Sequence, residues 1–181
     1  TKTVYEQNAA PIVYFTTEEN ITPIFVGMLE QAKDIKCALY EVSEPAIVNA
    51  LKQKNAFVAV EEDNYKGEFH TGNSSAYMHN KFCVIDNSTV ITGSTNLNPE
   101  GIYKNDNNLL VIHSKYIAQN YLDEFNEIYN DRFGAGEKVR YSNIILNNLT
   151  LIQNYFCPED ECQKHVLEEL EKANKSILFM T

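Results

Sequence analysis

Apolar and polar positions change period repeatedly over the first sixty residues. "PIVYF" (11–15) reads as a short strand, and "ENITPIFVGMLEQAKD" (19–34) spaces its apolar residues as a helix. Pro23 falls in the first turn of that helix, where a missing N–H does no harm. "IKCALYEV" (35–42) alternates and suits a buried strand. "SEPAIVNALKQKN" (43–55) joins a Ser43 cap and an early Pro45 to apolar residues at helical spacing, and "AFVAV" (56–60) is a second core strand. Strand, helix, strand, helix, strand in that order predicts right-handed crossovers and a largely parallel sheet.

The next stretch, "EEDNYKGEFHTGNSS" (61–75), is polar and reads as a loop, its "EED" opening (61–63) as surface acid. "YMHNKFCVID" (77–86) and "STVITGS" (88–94) then predict a hairpin turned at Asn87-Ser88. "NNLLVIH" (107–113) is a further strand. "SKYIAQNYLDEFNEIYNDRF" (114–133) is an amphipathic helix capped by Ser114, and "GAGEK" closes it. A second hairpin occupies "IILNNLTLIQNYF" (144–156). After it, residues 155–181 lie without gaps on residues 14–40, matching Tyr14 with Tyr155, Phe15 with Phe156, Glu18 with Glu159, Leu29 with Leu170, Glu30 with Glu171 and Ala32 with Ala173. This predicts an internal repeat whose second copy stops after its first helix and strand.

At 181 residues and 44% apolar composition the chain can bury one substantial core. It has no apolar run near the roughly 18 to 20 residues that span a bilayer. No secretory leader is visible, so residence in the cytoplasm is the default expectation, although a chain starting on Thr1 rather than Met could have lost an upstream segment. The net charge of −10 counts against a broad electrostatic footprint on nucleic acid or anionic lipid, yet allows a local basic cleft. Lys52, Lys54, Lys66 and Lys104 are candidates for such a groove, with solvated surface as their bland alternative. Cys37 and Cys83 sit in apolar runs and are expected as buried thiols. Cys157 and Cys162 could form a loop disulfide or a metal pair, at a spacing that fits no standard zinc pattern.

Chemistry concentrates in "MHNKFCVIDNSTVITGSTN" (78–96). In a strand, His79 and Lys81 share a face while Asn80 points away. An ammonium beside an imidazole disfavours the protonated ring and leaves a lone pair free near neutral pH. That pair suits attack on an anionic phosphodiester, the lysine neutralising non-bridging oxygens while the histidine bonds to phosphorus. Gly93 allows close backbone approach, and Ser94 and Asn96 can add hydrogen bonds. In-line displacement requires an acid or base on the far side of phosphorus, and one histidine cannot stand on both sides. His70, His113 and His165 remain, and none is followed two residues later by lysine. Taking each fixed position as roughly one in twenty, His79, Lys81, Asp86, Gly93, Ser94 and Asn96 together match by chance on the order of once in a million or less.

This string resembles the "HKD" signature of the phospholipase D superfamily, and the likeness extends over the strands and helices before the hairpin, "NDNNLLVI" after it and the long helix that follows. The resemblance implies a three-layer α/β/α sandwich with a mixed, largely parallel central sheet. It implies a phospholipase D-like domain over residues 1–136, then a linker hairpin and the start of a second repeat over 137–181. It further implies a phosphodiester hydrolase working through phosphohistidine without cofactor or metal, on nucleic acid or a phospholipid head group. His79 would be nucleophile or acid. Lys81, Ser94 and Asn96 would hold phosphate, Asp86 would support the site from behind, and Gly93 would complete the signature. A second such half, from the same longer chain or from a homodimer, would supply the opposing histidine. Two departures stand out. Where many members carry a glutamate that orients a histidine, this chain has Asn107, with Asp106 adjacent, so either Asp106 substitutes or His79 is less basic and serves as the acid partner. The segment between Val60 and Tyr77 is short, so that part of the sheet is expected to be trimmed. The competing expectation is a non-catalytic phosphate-binding or assembly half.

Overall fold

A computed structural model describes residues 2–61, 67–72, 77–134 and 136–179. The early alternation becomes β1 (Thr3–Glu6), β2 (Ile12–Phe15), α1 (Ile21–Gln31), β3 (Ile35–Leu39), α2 (Pro45–Gln53) and β4 (Phe57–Glu61). There follow β5 (His70–Gly72), β6 (Lys81–Ile85), β7 (Thr89–Gly93), α3 (Pro99–Tyr103), β8 (Asn108–His113) and α4 (Lys115–Tyr129). The chain continues through β9 (Asn143–Leu146), β10 (Thr150–Gln153) and α5 (Cys162–Leu170). Seven strands form one sheet in the order β2-β8-β7-β6-β3-β4-β5. β3, β4 and β5 pair in parallel, and every other neighbour in that sheet is antiparallel. The sheet is therefore mixed, as expected, but four of its six neighbouring pairs are antiparallel, so its pairing is not largely parallel. The parallel pairings are confined to the crossover half, while β2, β3, β4, β5 and β7 all run in one direction.

Strand alternation divides the core between two helical layers. Cys37, Leu39, Val58, Val60, Cys83, Ile85, Ile91, Leu109 and Val111 face one side and pack with Ile21, Phe25 and Leu29 of α1 and Ile47 and Leu51 of α2. Their neighbours Ala38, Ala59, Phe82, Val84, Val90 and Ile112 face the other side, against Ile117, Phe125 and Ile128 of α4. This is the α/β/α sandwich. Each fully buried Leu or Ile contributes about 1.5–3 kcal/mol by leaving water, which is what fixes the helices on the sheet. Asn20 caps α1 by accepting from the Thr22 N–H at 3.3 Å, and Ser114 caps α4 by accepting from the Ile117 N–H at 3.2 Å.

The hairpin between β6 and β7 turns on Asp86 and Asn87, one residue earlier than expected. Both residues have positive φ (50° and 53°), and the Ser88 N–H donates to the Ile85 carbonyl at 3.1 Å. Two left-handed central residues match the twist of paired strands, and Asp and Asn tolerate that conformation better than most. Asn147 and Asn148 repeat the device between β9 and β10.

Several features escaped the hydrophobic pattern. β1 pairs with β9 in a separate sheet ordered β1-β9-β10. β5 adds a parallel strand inside the polar stretch expected as loop; residues 62–66 and 73–75 of that stretch lie outside the described residues. α3 begins at Asn98-Pro99, the Asn98 side chain accepting from the Gly101 N–H at 2.6 Å. Glu61, expected at the surface, is buried at the end of β4. Cys37 and Cys83 are not separate thiols: the β3–β6 register sets them opposite each other, Cα atoms 4.1 Å apart, and they form a disulfide. Cys157 and Cys162 form a second one. Of the internal repeat, α5 occupies the positions equivalent to α1, but described residues 176–179 form no strand. α5 has no buried residue, and Val166 and Leu170, counterparts of the buried Phe25 and Leu29, are exposed.

Replacing Asn87 by Val should destabilise the fold by about 1–2 kcal/mol, because a β-branched side chain is excluded from the left-handed region. Urea unfolding should show the lowered midpoint, and Asn87→Gly should stay near wild type.

Candidate active site

Because β2, β3, β4, β5 and β7 run the same way, their carboxyl ends lie along one edge of the sheet, where open α/β folds bind ligands. β6 runs against them, so its start, and the residues just before it, reach the same edge. His79 and Lys81 stand there. Leu39 pairs with Lys81, and the Tyr40 N–H donates to the Asn80 carbonyl at 2.7 Å, extending the ladder past the strand ends. Glu61, at the end of β4, accepts the Met78 N–H at 2.5 Å and so holds the backbone one residue before His79.

The His79 imidazole is exposed, and the Lys81 side chain is half-buried. Partial burial, with Lys81 adding to it, holds the imidazole below its ordinary pKa. Burial likewise lowers Lys81. The ammonium donates to the His79 carbonyl at 3.1 Å and lies 5.0 Å from the centre of the Tyr40 ring. The Tyr40 ring also meets the imidazole edge-on, centroids 4.5 Å apart. Tyr40 was not singled out by sequence; the only hint is its place at the end of a core strand.

Gly93 leaves β7 beside this pair. Its φ is 141°, and a Cβ there would lie 2.3 Å from the Asn108 carbonyl oxygen, so no side chain fits. Ser94 follows, donating through Oγ to Asn107 Oδ1 at 2.9 Å and accepting from the Asn108 N–H at 3.1 Å. Asn107 in turn donates to the Gly101 carbonyl at 2.9 Å. Asn107 therefore fixes Ser94, and the neighbouring Asp106 is exposed. Asn96 is half-buried, and its Oδ1 is buried without a hydrogen-bond partner among the described residues.

Asp86 does not join them. It occupies the turn at the opposite end of β6, about 20 Å from His79 at some 3.3 Å per residue. There its carboxylate accepts the Lys33 and Asp34 N–H groups, each at 2.8 Å. Those bonds hold it below the ordinary carboxylate range, the Asp34 amide contributing most. Six residues, five of them β6, separate it from His79, and its two bonds tie the hairpin to the α1–β3 turn. The other histidines are also elsewhere. His113 bonds Thr89 at 3.0 Å at that same far end, His70 packs on Tyr129, and His165 stacks on Tyr155.

Asn80 points to the opposite face from His79, as alternation requires, and donates to Glu124 of α4 at 3.3 Å. Burial, reinforced by Glu159, Glu127 and Asp160 and opposed by the Asn80 bond, pushes Glu124 up to about 7. Arg132 and Glu159 line the same cavity beside it, with Tyr77 and Met78 at its rim.

The family model described as "Cardiolipin synthase, PLD-like domain" matches residues 50–129. The mitochondrial cardiolipin hydrolase of Xenopus laevis is 25% identical over an alignment covering 64% of this chain and 63% of that protein. That of Xenopus tropicalis is 33% identical over 43% of this chain and 33% of its own length. This chain thus matches less than two thirds of each of these relatives. Among solved structures, the phospholipase D family member Nuc of Salmonella typhimurium superposes with a TM-score of 0.59 at 23% identity, covering 67% of this chain and 95% of that one. NucT of Helicobacter pylori gives 0.58 at 15% identity, with 67% and 96% covered. Both likenesses are of fold.

Two predictions follow from the supports of His79. Glu61→Ala leaves the buried Met78 N–H without its acceptor and should cost about 1–3 kcal/mol in urea unfolding, with Glu61→Gln closer to wild type. Glu124 has a folded pKa raised to about 7 from 4.5, so between those values the native state keeps a proton the unfolded chain has released, and stability falls as pH rises through that window. Glu124→Gln should therefore raise the melting temperature at pH 8 more than at pH 5.

Proposed function

We propose that this chain is a member of the phospholipase D superfamily, which its likeness to the PLD-like domain over residues 50–129 supports, and that it hydrolyses a phosphodiester through a covalent phosphohistidine on His79. The observation that carries this reading is the exposed imidazole at the sheet edge, biased towards its neutral form, with an ammonium two residues on. A lowered pKa suits the nucleophile better than the acid, which must hold a proton until the leaving group takes it. A ring nitrogen of His79 attacks phosphorus, and the bond to the leaving alkoxide breaks as an opposing histidine protonates that oxygen. The same opposing histidine then takes a proton from water, the water oxygen attacks phosphorus, and the P–N bond breaks to restore His79. Lys81, Ser94 and Asn96 hold the non-bridging oxygens, and Gly93 and Asn107 shape the loop that presents them.

The opposing imidazole comes from a second signature of the same kind. His113 bonds Thr89, His70 packs on Tyr129 and His165 stacks on Tyr155, which supports a donor outside residues 1–181. We assign residues 137–181 to a linking hairpin and the opening of a second repeat. The placement of α5 over the span equivalent to α1, with its apolar positions uncovered, supports that assignment. The donor would be the remainder of a longer chain or a second copy. A phospholipid head group is the favoured substrate, because the curated relatives are named cardiolipin hydrolases; nucleic acid is the other outcome of the test.

Incubation with a chromogenic aryl phosphodiester in EDTA should give turnover that rises with pH through an acid limb below 6.5, the ordinary imidazole value from which His79 is lowered. His79→Ala should reduce kcat by at least about a thousandfold. Acid quenching should trap phosphate on His79 of the wild-type protein. Loss of activity in EDTA overturns the reading. Anion binding without turnover at any protein concentration would instead establish a non-catalytic phosphate-binding half. Cardiolipin vesicles and single-stranded oligonucleotides, offered side by side, identify the substrate.

A further inference from the structure

Two groups of the site depend on a residue outside the signature. The Tyr40 ring meets the His79 imidazole edge-on at 4.5 Å and carries the Lys81 ammonium 5.0 Å from its centre. Tyr40 is itself anchored. Its N–H donates to the Asn80 carbonyl at 2.7 Å, between the two residues it touches, and its strand is crosslinked to theirs through Cys37 and Cys83. Tyr77 meets the same ring in a T-shaped contact, centroids 6.3 Å apart.

We propose that Tyr40 is a positioning residue that sets the imidazole plane of His79 and aims the ammonium of Lys81. An exposed imidazole has two free torsions, and an ammonium on four methylenes has more. Neither is fixed by the backbone alone. An aromatic face attracts the cation and an aromatic edge limits ring rotation, so a single side chain narrows both. The ring also covers part of the imidazole, adding to the burial that disfavours its charged form. Lys81 is the charged neighbour that acts in the same direction, and it is left unsubstituted in the variants below. The contribution to rate rests on the phosphohistidine reading; the geometric role does not.

Two readouts keep these apart. In histidine NMR titrations of the whole chain, Tyr40→Ala should raise the His79 midpoint towards its ordinary value, while Tyr40→Phe, which keeps the ring, should leave it unmoved. In turnover of the aryl phosphodiester, Tyr40→Ala should lower kcat roughly 10- to 100-fold with a smaller change in KM, and Tyr40→Phe should stay within about threefold of wild type. An unmoved His79 midpoint in a folded Tyr40→Ala protein overturns the proposal, as does an unchanged kcat. If the wild-type chain itself gives no turnover, the enzymatic reading fails and the titration alone decides the role of Tyr40. Should Tyr40→Ala not fold, Tyr40→Leu takes its place, and retained ring-free positioning in that variant counts equally against the proposal.

Discussion

The antiparallel pairing of β3 with β6 is the constraint on which the rest depends. It sets Cys37 opposite Cys83 and Leu39 opposite Lys81, and so brings Tyr40 beside the residues on either side of Asn80. A slip of one residue would send every side chain of β6 to the other face of the sheet. Lys81 would then point towards α4, and Phe82 and Val84 would exchange layers with Cys83 and Ile85. The disulfide locks this register covalently, and Asp86 locks it again from the far end by accepting two amides of the α1–β3 turn.

β6 thus works as a rigid rod pinned at both ends. The end nearest His79 is held by Glu61 through Met78 and by Tyr40 through Asn80; the other end is held by Asp86. Signature residues separated along this rod perform separate tasks. His79, Lys81 and Ser94 gather at the open edge, while Asp86 secures their direction from the opposite side of the sheet.

Much of this was legible in the residues. Alternation and helical spacing placed α1, β3, α2, β4, β6, β7, β8 and α4, because each buries a continuous apolar face. β1 and β5 were missed because TVYE and HTG carry no apolar run of their own and become strands through their partners β9 and β4. The Cys37–Cys83 bond was missed for a related reason: a buried cysteine looks the same alone or paired until strand register is known. The fixed spacing from His79 to Asn96 pointed to the candidate site, but linear spacing does not say which end of a strand a turn residue occupies, so the place of Asp86 at the far end of β6 needed the structure. Tyr40 and Glu61 act on the site from other strands. Only topology brings them there.

The uncovered flank of α5 has a consequence of a different kind. Val166, Leu167 and Leu170 offer water an oily ledge, while ten surplus negative charges set copies of the chain against each other. Electrolyte thins that repulsion within a Debye length of about 8–10 Å at physiological strength and leaves the ledge as sticky as before. Any contact made through this flank therefore tightens as ionic strength rises.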